Sequence, residues 1–397
     1  MIRHFIFSHI QQPSFLRMTL LSMALLDELI IGFAVVALPL LRDQLGLSYE
    51  QAGLLFSVGA LSSLILEPIL NLLSDRGSKR WWIVGGLLGL ALAFALAGSI
   101  YNFIVLLVAF AVIYPATGAA VGLSEAALID SAPKDGARTM TRWTLMSSIG
   151  DILSPLVVAA FVALGLGWSA LCWFGAILWL AAGLIVWPQR FPRPLGLPDN
   201  NDTPSDMSML AGLRKALRDP LLLRWAVLSL LPMMLDEVFI GFAALYLHDV
   251  LHASQIEISI ILIVHMIGAF LGLLIVDRLI GRMALQRLLL WLALLSLVGV
   301  IALLSIHSIS SATLALFIIG LGAAGLYPLA QAEAYARQPG RSGTVRAVIG
   351  LGTPFEVALP GIVGLIASRF GVVAGVALLG LAPLLILLIV PRRSIRS

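Results

Sequence analysis

The sequence predicts an all-α membrane protein, with twelve transmembrane helices in two pseudo-symmetric six-helix bundles, and three observations carry that prediction. Mean hydropathy is +1.02, and 60% of residues are hydrophobic against 12% charged, whereas soluble domains carry about 25% charged residues. Apolar runs of about 20 residues, each long enough for one bilayer crossing, recur along the whole chain. An intramembrane phrase is also duplicated: Leu26-Asp27-Glu28 followed by Gly32-Phe33-Ala34 returns as Leu235-Asp236-Glu237 followed by Gly241-Phe242-Ala243.

The first six helices are expected at 15–41, 52–73, 81–99, 102–129, 138–164 and 167–187. The second six are expected at 222–247, 256–280, 284–305, 310–335, 342–369 and 370–390. Between them, Pro188 to Pro220 holds Asp199, Asp202, Asp206 and Asp219, several prolines and the basic group Arg214, Lys215 and Arg218. It is the one stretch polar enough for a domain linker. The chain therefore divides into an N-terminal bundle at 1–187, a linker at 188–221 and a C-terminal bundle at 222–397. Arg3, His4 and Arg17 precede the first apolar run, and no small-residue cleavage site follows a short apolar region, so that run is expected to remain as a helix.

Counted loop by loop, all of the 25 Lys and Arg residues except Arg42 and Arg369 fall at one face. By the positive-inside rule, both termini and the linker belong in the cytoplasm, and the protein is expected in the plasma membrane, the inner membrane of a cell with two, as a multi-pass protein. The net charge of +4 gives no reason to invoke nucleic acid. The single cysteine, Cys172, rules out an intrachain disulfide and any multi-cysteine metal site. No Gly-x-x-x-x-Gly-Lys-Ser/Thr loop occurs, and the cytoplasmic segments are too short for an ATPase.

The duplicated acids need an explanation. A charged Asp at a helix centre costs about 2.5 to 3.5 kcal/mol on insertion scales, so Asp27, Glu28, Asp236 and Glu237 must face something polar. A repeated unit with such groups at matching depth is the pattern of a transporter with its site between the copies. Adjacent helical residues point about 100 degrees apart, so one acid of each pair is expected to face the cavity. Glu28 shares a face with Gly32, and Glu237 with Gly241, while Asp27 and Asp236 either look toward neighbouring helices or only hold helices together.

Two further repeats carry a resemblance. After the second helix comes Asn71-Leu-Leu-Ser-Asp75-Arg76-Gly77-Ser78-Lys79-Arg80, and after the eighth comes Asp277-Arg278-Leu-Ile-Gly281-Arg282. Here the chain resembles the major facilitator superfamily, whose signature is a Gly, then Asp-Arg four residues on, then Gly and two basic residues. The resemblance implies a gate formed by Asp75, Arg76, Lys79, Arg80, Asp277, Arg278 and Arg282, pairing across helices in one conformation and releasing in the other. Asn71 and Ser78 stand where that family has glycines, which implies a looser helix contact. The fifth helix, with Gly150-Asp151-Ile-Leu-Ser154-Pro155, is similar to part of the family's antiporter motif. Its repeat counterpart is Glu356-Val-Ala-Leu-Pro360. Gly32, Gly241, Gly150, Pro155 and Pro360 are expected to serve helix packing and bending. The run from Pro39 to Leu55 with Glu67-Pro68 also resembles small drug-efflux members, including the fosmidomycin-resistance group.

Asp27, Glu28, Asp151, Asp236, Glu237 and Glu356 are placed near the midplane, with no basic residue at comparable depth. Acids so placed suit the binding and release of protons, and their surplus favours a neutral or cationic substrate over an anion. Glu67, Glu125, Asp130 and Glu333 are read as structural or gating residues, Arg142 and Arg346 as interface anchors, and His265 as hydrogen-bonded to a neighbouring helix. The expected function is secondary active transport: a proton-coupled antiporter that exports a small neutral or cationic amphiphilic compound by alternating access. The alternatives are a proton symporter or a divalent-cation exporter of the same fold, an intramembrane aspartyl hydrolase built on paired acids, and a non-transporting receptor. No enzymatic activity, cofactor, metal or obligate protein partner is expected; the partners are a small-molecule substrate, protons and the bilayer.

Overall fold

The computed structural model describes residues 14–37, 41, 45–47, 49–75, 78–100, 102–132, 135–189, 191, 212–305 and 308–391. Arg76 and the side chain of Glu237 lie outside that description. Among the described residues the protein is helical, with one isolated bridge between Ile280 and Met283. Eleven described helical runs are long and apolar enough to cross a membrane, from Leu54–Ser74 to Val372–Ile389. Ser14–Val36 is a further 23-residue helix and carries Asp27 and Glu28.

By packing, the chain forms two compact units. The first holds residues 1–134, 146–213 and 338–350, and the second holds 135–145, 214–337 and 351–397. Each unit is thus completed by a short segment from the other part of the sequence.

In the first unit, Lys79–Ser99 packs against both Trp168–Val186 and Phe103–Thr117, which in turn packs on Tyr49–Ser74. These helices are apolar all round, so hydrophobicity alone cannot say which face turns inward. In Phe103–Thr117, Leu106, Ala109, Phe110 and Ile113 are buried while Ile104, Val108 and Val112 are exposed. The fourth run is not a plain helix: Gly118–Gly122 forms a π-turn between Phe103–Thr117 and Leu123–Ser131. Such one-turn bulges concentrate at functional sites.

In the second unit, Gln255–Leu279 and Leu285–Ser305 both pack on Ile309–Ala323. Gly268 and Gly272, four residues apart, bring the first of these helices close to the backbone at Phe317 and Leu321, the close approach that small residues permit between membrane helices. His265 is buried one turn earlier, and its Nδ1 donates to the Leu316 carbonyl at 2.8 Å. Because a carbonyl only accepts, that bond fixes the tautomer.

The duplicated phrase folds differently in its two copies. Asp27-Glu28 lies in the unbroken helix Ser14–Val36. Its repeat follows Pro220–Leu230 and a 3₁₀ turn, Leu231–Leu235, with Asp236 at the N-terminus of Glu237–Asp249. The cause is Pro232, which lacks an N–H for the Leu228 carbonyl and ends the α-helix there. The eleventh run is also interrupted, between Ser342–Gly350 and Thr353–Phe370, and Glu356 sits in the first turn of the later piece. Gly352 at this second interruption packs directly against Leu230 at the first.

Candidate functional site

Within the first unit, Asp75 ends the second helix and faces the first turn of Ser342–Gly350. It accepts hydrogen bonds from the Gly343 N–H at 3.0 Å, the Thr344 N–H at 2.7 Å and the Thr344 hydroxyl at 2.8 Å. A carboxylate is well suited to this place, because the leading N–H groups of a helix have no partners of their own and carry partial positive charge. Lys79 Nζ bridges Asp75 at 3.2 Å and Asp130 at 2.9 Å, and the Ser342 hydroxyl donates to Asp130 at 2.7 Å. Lys79 is 4% exposed, so its charge is neutralised inside the protein and not by water.

The looser contact implied by Asn71 is not what the structure has. The Asn71 carbonyl lies so close to Gly343 that any Cβ there would clash with it and would come within 2.6 Å of Asp75 Oδ1. The glycine that permits close packing stands on the facing helix.

A related arrangement occurs in the second unit. Asp277 Oδ1 is 3.3 Å from Arg142 Nε and 3.8 Å from Arg138 Nε, and Arg138 also donates to the Ile280 carbonyl. Arg278 and Arg282, adjacent in the motif, form no ion pair among the described residues. Arg80 likewise has no carboxylate partner among them. Arg142, read as an interface anchor, is instead a ligand of Asp277. This cluster is more exposed than that of Asp75, with Arg142 at 45%, and each of its pairs contributes little.

A second constellation in the first unit surrounds Asp27. Its Oδ1 atom is buried and has no hydrogen-bond partner among the described residues. The charges acting on it are those of Arg346, Glu67 and Asp151. Arg346 Nη1 pairs with Glu125 Oε2 at 3.3 Å, and its guanidinium lies flat against Gly122, where a Cβ would stand 2.6 Å from Nε. Glu67 occupies the corresponding space at Gly118, with its Cγ at 2.6 Å from such a Cβ, and accepts a short bond from the Ser63 hydroxyl. The two glycines that bound the π-turn therefore seat one cation and one anion against the same stretch of backbone.

Arg346, expected as an interface anchor, is thus paired with Glu125 and lies within electrostatic reach of Asp27. The one sequence signal available was the pair of glycines, Gly118 and Gly122, spaced four apart in the fourth span.

Glu28 lies with its Cβ beside Gly150 on the fifth helix, and Gly150 also meets the Leu25 carbonyl. Gly32 packs on Ser154 of the same helix. Asp151, near these contacts, is exposed, as are Pro155 and Pro360. Gly241 does not mirror Gly32: it is exposed, and a Cβ there would meet nothing within 4 Å. Asp236 is exposed at its helix N-terminus and Glu356 is half-buried in the first turn of its own helix. Among the described residues, no group of three or more His, Cys, Asp or Glu could hold a metal ion.

The model of the Major Facilitator Superfamily matches residues 20–355 of the chain. Two crystal structures of FucP share its fold, each at 18% identity and covering 95% of this chain and 98% of the other. One is described as an MFS transporter in the outward conformation, with a TM-score of 0.76. The other is the E. coli fucose:proton symporter, with a TM-score of 0.77. The human organic anion transporter MFSD10 (TETRAN) matches at 18% identity, covering 95% and 97% of the two chains, with a TM-score of 0.69. At that identity the likeness speaks for the fold alone. No curated protein sequence matches the chain.

Proposed function

Because the chain belongs to the major facilitator superfamily, we propose that it is a proton-coupled secondary transporter, working as an antiporter that exports a small neutral or cationic amphiphilic compound. The observation that carries this reading is the buried, unpartnered Oδ1 of Asp27 in the electrostatic reach of Arg346, Glu67 and Asp151. A buried carboxyl oxygen without a donor is held at a large desolvation cost, and a proton relieves that cost. In the proposed cycle, protonated Asp27 leaves Arg346 paired with Glu125, and loss of that proton draws the guanidinium toward Asp27. Arg346 lies two residues beyond Thr344 on the helix capped by Asp75, so its movement is coupled to that cap. The capped helix is made in this structure and released in the opposite state.

A second reading, proton symport, is favoured by the same arginine. A guanidinium beside the acids supplies donors for a hydroxylated or anionic compound, which a purely acidic site would repel. The fucose:proton symporter and the organic anion transporter named above carry substrates of those kinds.

The test is reconstitution into proteoliposomes with an imposed pH gradient and a pH dye inside, screened against a panel of lipophilic cations, neutral drugs, sugars and carboxylates. For the antiport reading, adding a substrate to the side opposite the protons must drive protons toward it. Proton movement in the same direction as substrate would replace antiport by symport, and substrate movement indifferent to the gradient would remove proton coupling altogether.

A further inference from the structure

Lys79 and Arg80 are neighbours in sequence with opposite surroundings. Lys79 is buried between Asp75 and Asp130. Arg80 has no anionic partner among the described residues, and its Nε atom is buried with no hydrogen-bond acceptor among them. Its guanidinium carbon lies over the ring of Trp81, 4.8 Å from the centroid. Trp81 in turn meets Trp187 edge to face, with centroids 5.6 Å apart and planes at 88°. Both indoles are open to the surroundings, at 57% and 48% exposure.

Their place in the fold says what those surroundings are. Trp81 lies in the first turn of Lys79–Ser99, and Trp187 directly follows Trp168–Val186. These helices pack on one another, so the start of one and the end of the other meet at the membrane face that holds Lys79 and Arg80. Indole rings collect where hydrocarbon gives way to headgroups. A guanidinium at that level, with one face covered by an indole and no anion beside it among the described residues, still presents donors in a fork that fits two phosphate oxygens. The apolar walls beside it suit a lipid's glycerol and upper acyl carbons, not a dissolved ion.

We propose that Arg80, Trp81 and Trp187 form a binding site for the headgroup phosphate of an anionic phospholipid in the leaflet at that face. The guanidinium bonds the phosphate, Trp81 holds the guanidinium in place, and Trp187 forms the wall along which the glycerol lies. Lys79 is not part of the site, because its charge is already neutralised.

The test is native mass spectrometry of the full-length protein released from detergent, titrated with dioleoyl-phosphatidylglycerol or dioleoyl-phosphatidylcholine. The wild type should retain phosphatidylglycerol over phosphatidylcholine by about fivefold, the scale of one basic residue at a membrane surface. Arg80→Gln should reduce that ratio to about one, Arg80→Lys should leave an intermediate ratio because it keeps charge without the fork, and Trp187→Leu should lower it with Arg80 intact. Glycerol 3-phosphate should not displace the lipid. If the wild type shows no preference, or if the preference survives in both Arg80→Gln and Trp187→Leu, the proposal is overturned. Displacement by glycerol 3-phosphate also overturns it, in favour of a soluble-phosphate site. Should Arg80→Gln fail to fold, Trp187→Leu decides the matter, since it leaves every charge in place.

Discussion

Asp75 Oδ2 accepts both the backbone N–H and the hydroxyl of Thr344, at 2.7 and 2.8 Å, and so ties the end of the second helix to the start of a helix far along the chain. The two residues lie in one compact unit although most of the sequence separates them.

Asp75→Asn replaces one acceptor oxygen with an NH₂ that must face N–H donors. Hydrogen bonds to a charged group contribute about 1.5 to 3 kcal/mol each, so loss of even one shifts a two-state equilibrium by at least about tenfold. Transport in proteoliposomes should fall by that order while membrane abundance stays near normal. Unchanged transport at normal abundance would mean that the Asp75 cap is not a gate.

Gly343→Ala places a Cβ against the Asn71 carbonyl and Asp75 Oδ1, and overpacking of this kind costs about 1 to 3 kcal/mol. The melting temperature in detergent should drop, and transport with it. Gly85→Ala, where a Cβ meets nothing within 4 Å, should leave both unchanged. Equal behaviour of the two variants would show that the close approach at Gly343 is not what matters.

Asp27→Asn keeps size but cannot exchange a proton. Gradient-driven transport should be lost, while exchange between equal substrate concentrations survives, because exchange needs no net proton movement. Glu28→Gln and Glu237→Gln are the companion variants. If all three retain gradient-driven transport, the duplicated acids serve only helix packing.

Glu257 provides a pH dependence outside the membrane span. The N–H and hydroxyl of Ser254 bond its carboxylate and hold it below the ordinary glutamate range. The sign follows: the capping box contributes stability above that range and loses it as pH falls through the depressed folded value. The hydrogen-exchange protection factors of the first turn of Gln255–Leu279, taken relative to the intrinsic rate at each pH, should therefore fall on acidification in the wild type, and should already be low at neutral pH in Glu257→Ala.

Topology can be read by labelling. In a Cys172→Ala background, Asn201→Cys and Ser394→Cys should each react with an impermeant maleimide only from the cytoplasmic side. Reaction from outside would reverse the orientation drawn from the basic residues.

Helix positions were legible in the sequence because one bilayer crossing demands a fixed length of apolar residues. The expected 81–99, 284–305 and 342–369 correspond to Lys79–Ser99, Leu285–Ser305 and Ser342–Phe370. The interruption before Asp236 was also written there, in Pro232. Which charges meet was a different matter. Hydrophobic length fixes where a helix crosses and carries no information about the neighbour that a given side chain faces. For that reason the sequence did not show that Asp277 pairs with Arg138 and Arg142, or that the close approach at Asn71 comes from Gly343 on the opposing helix. By itself the sequence determined the apolar membrane helices and the family, since each follows from local composition or from short patterns. The seating of Arg346 on the π-turn beside Asp27 was decided only by tertiary packing, because a cation's depth and partner depend on where a distant backbone leaves room for it.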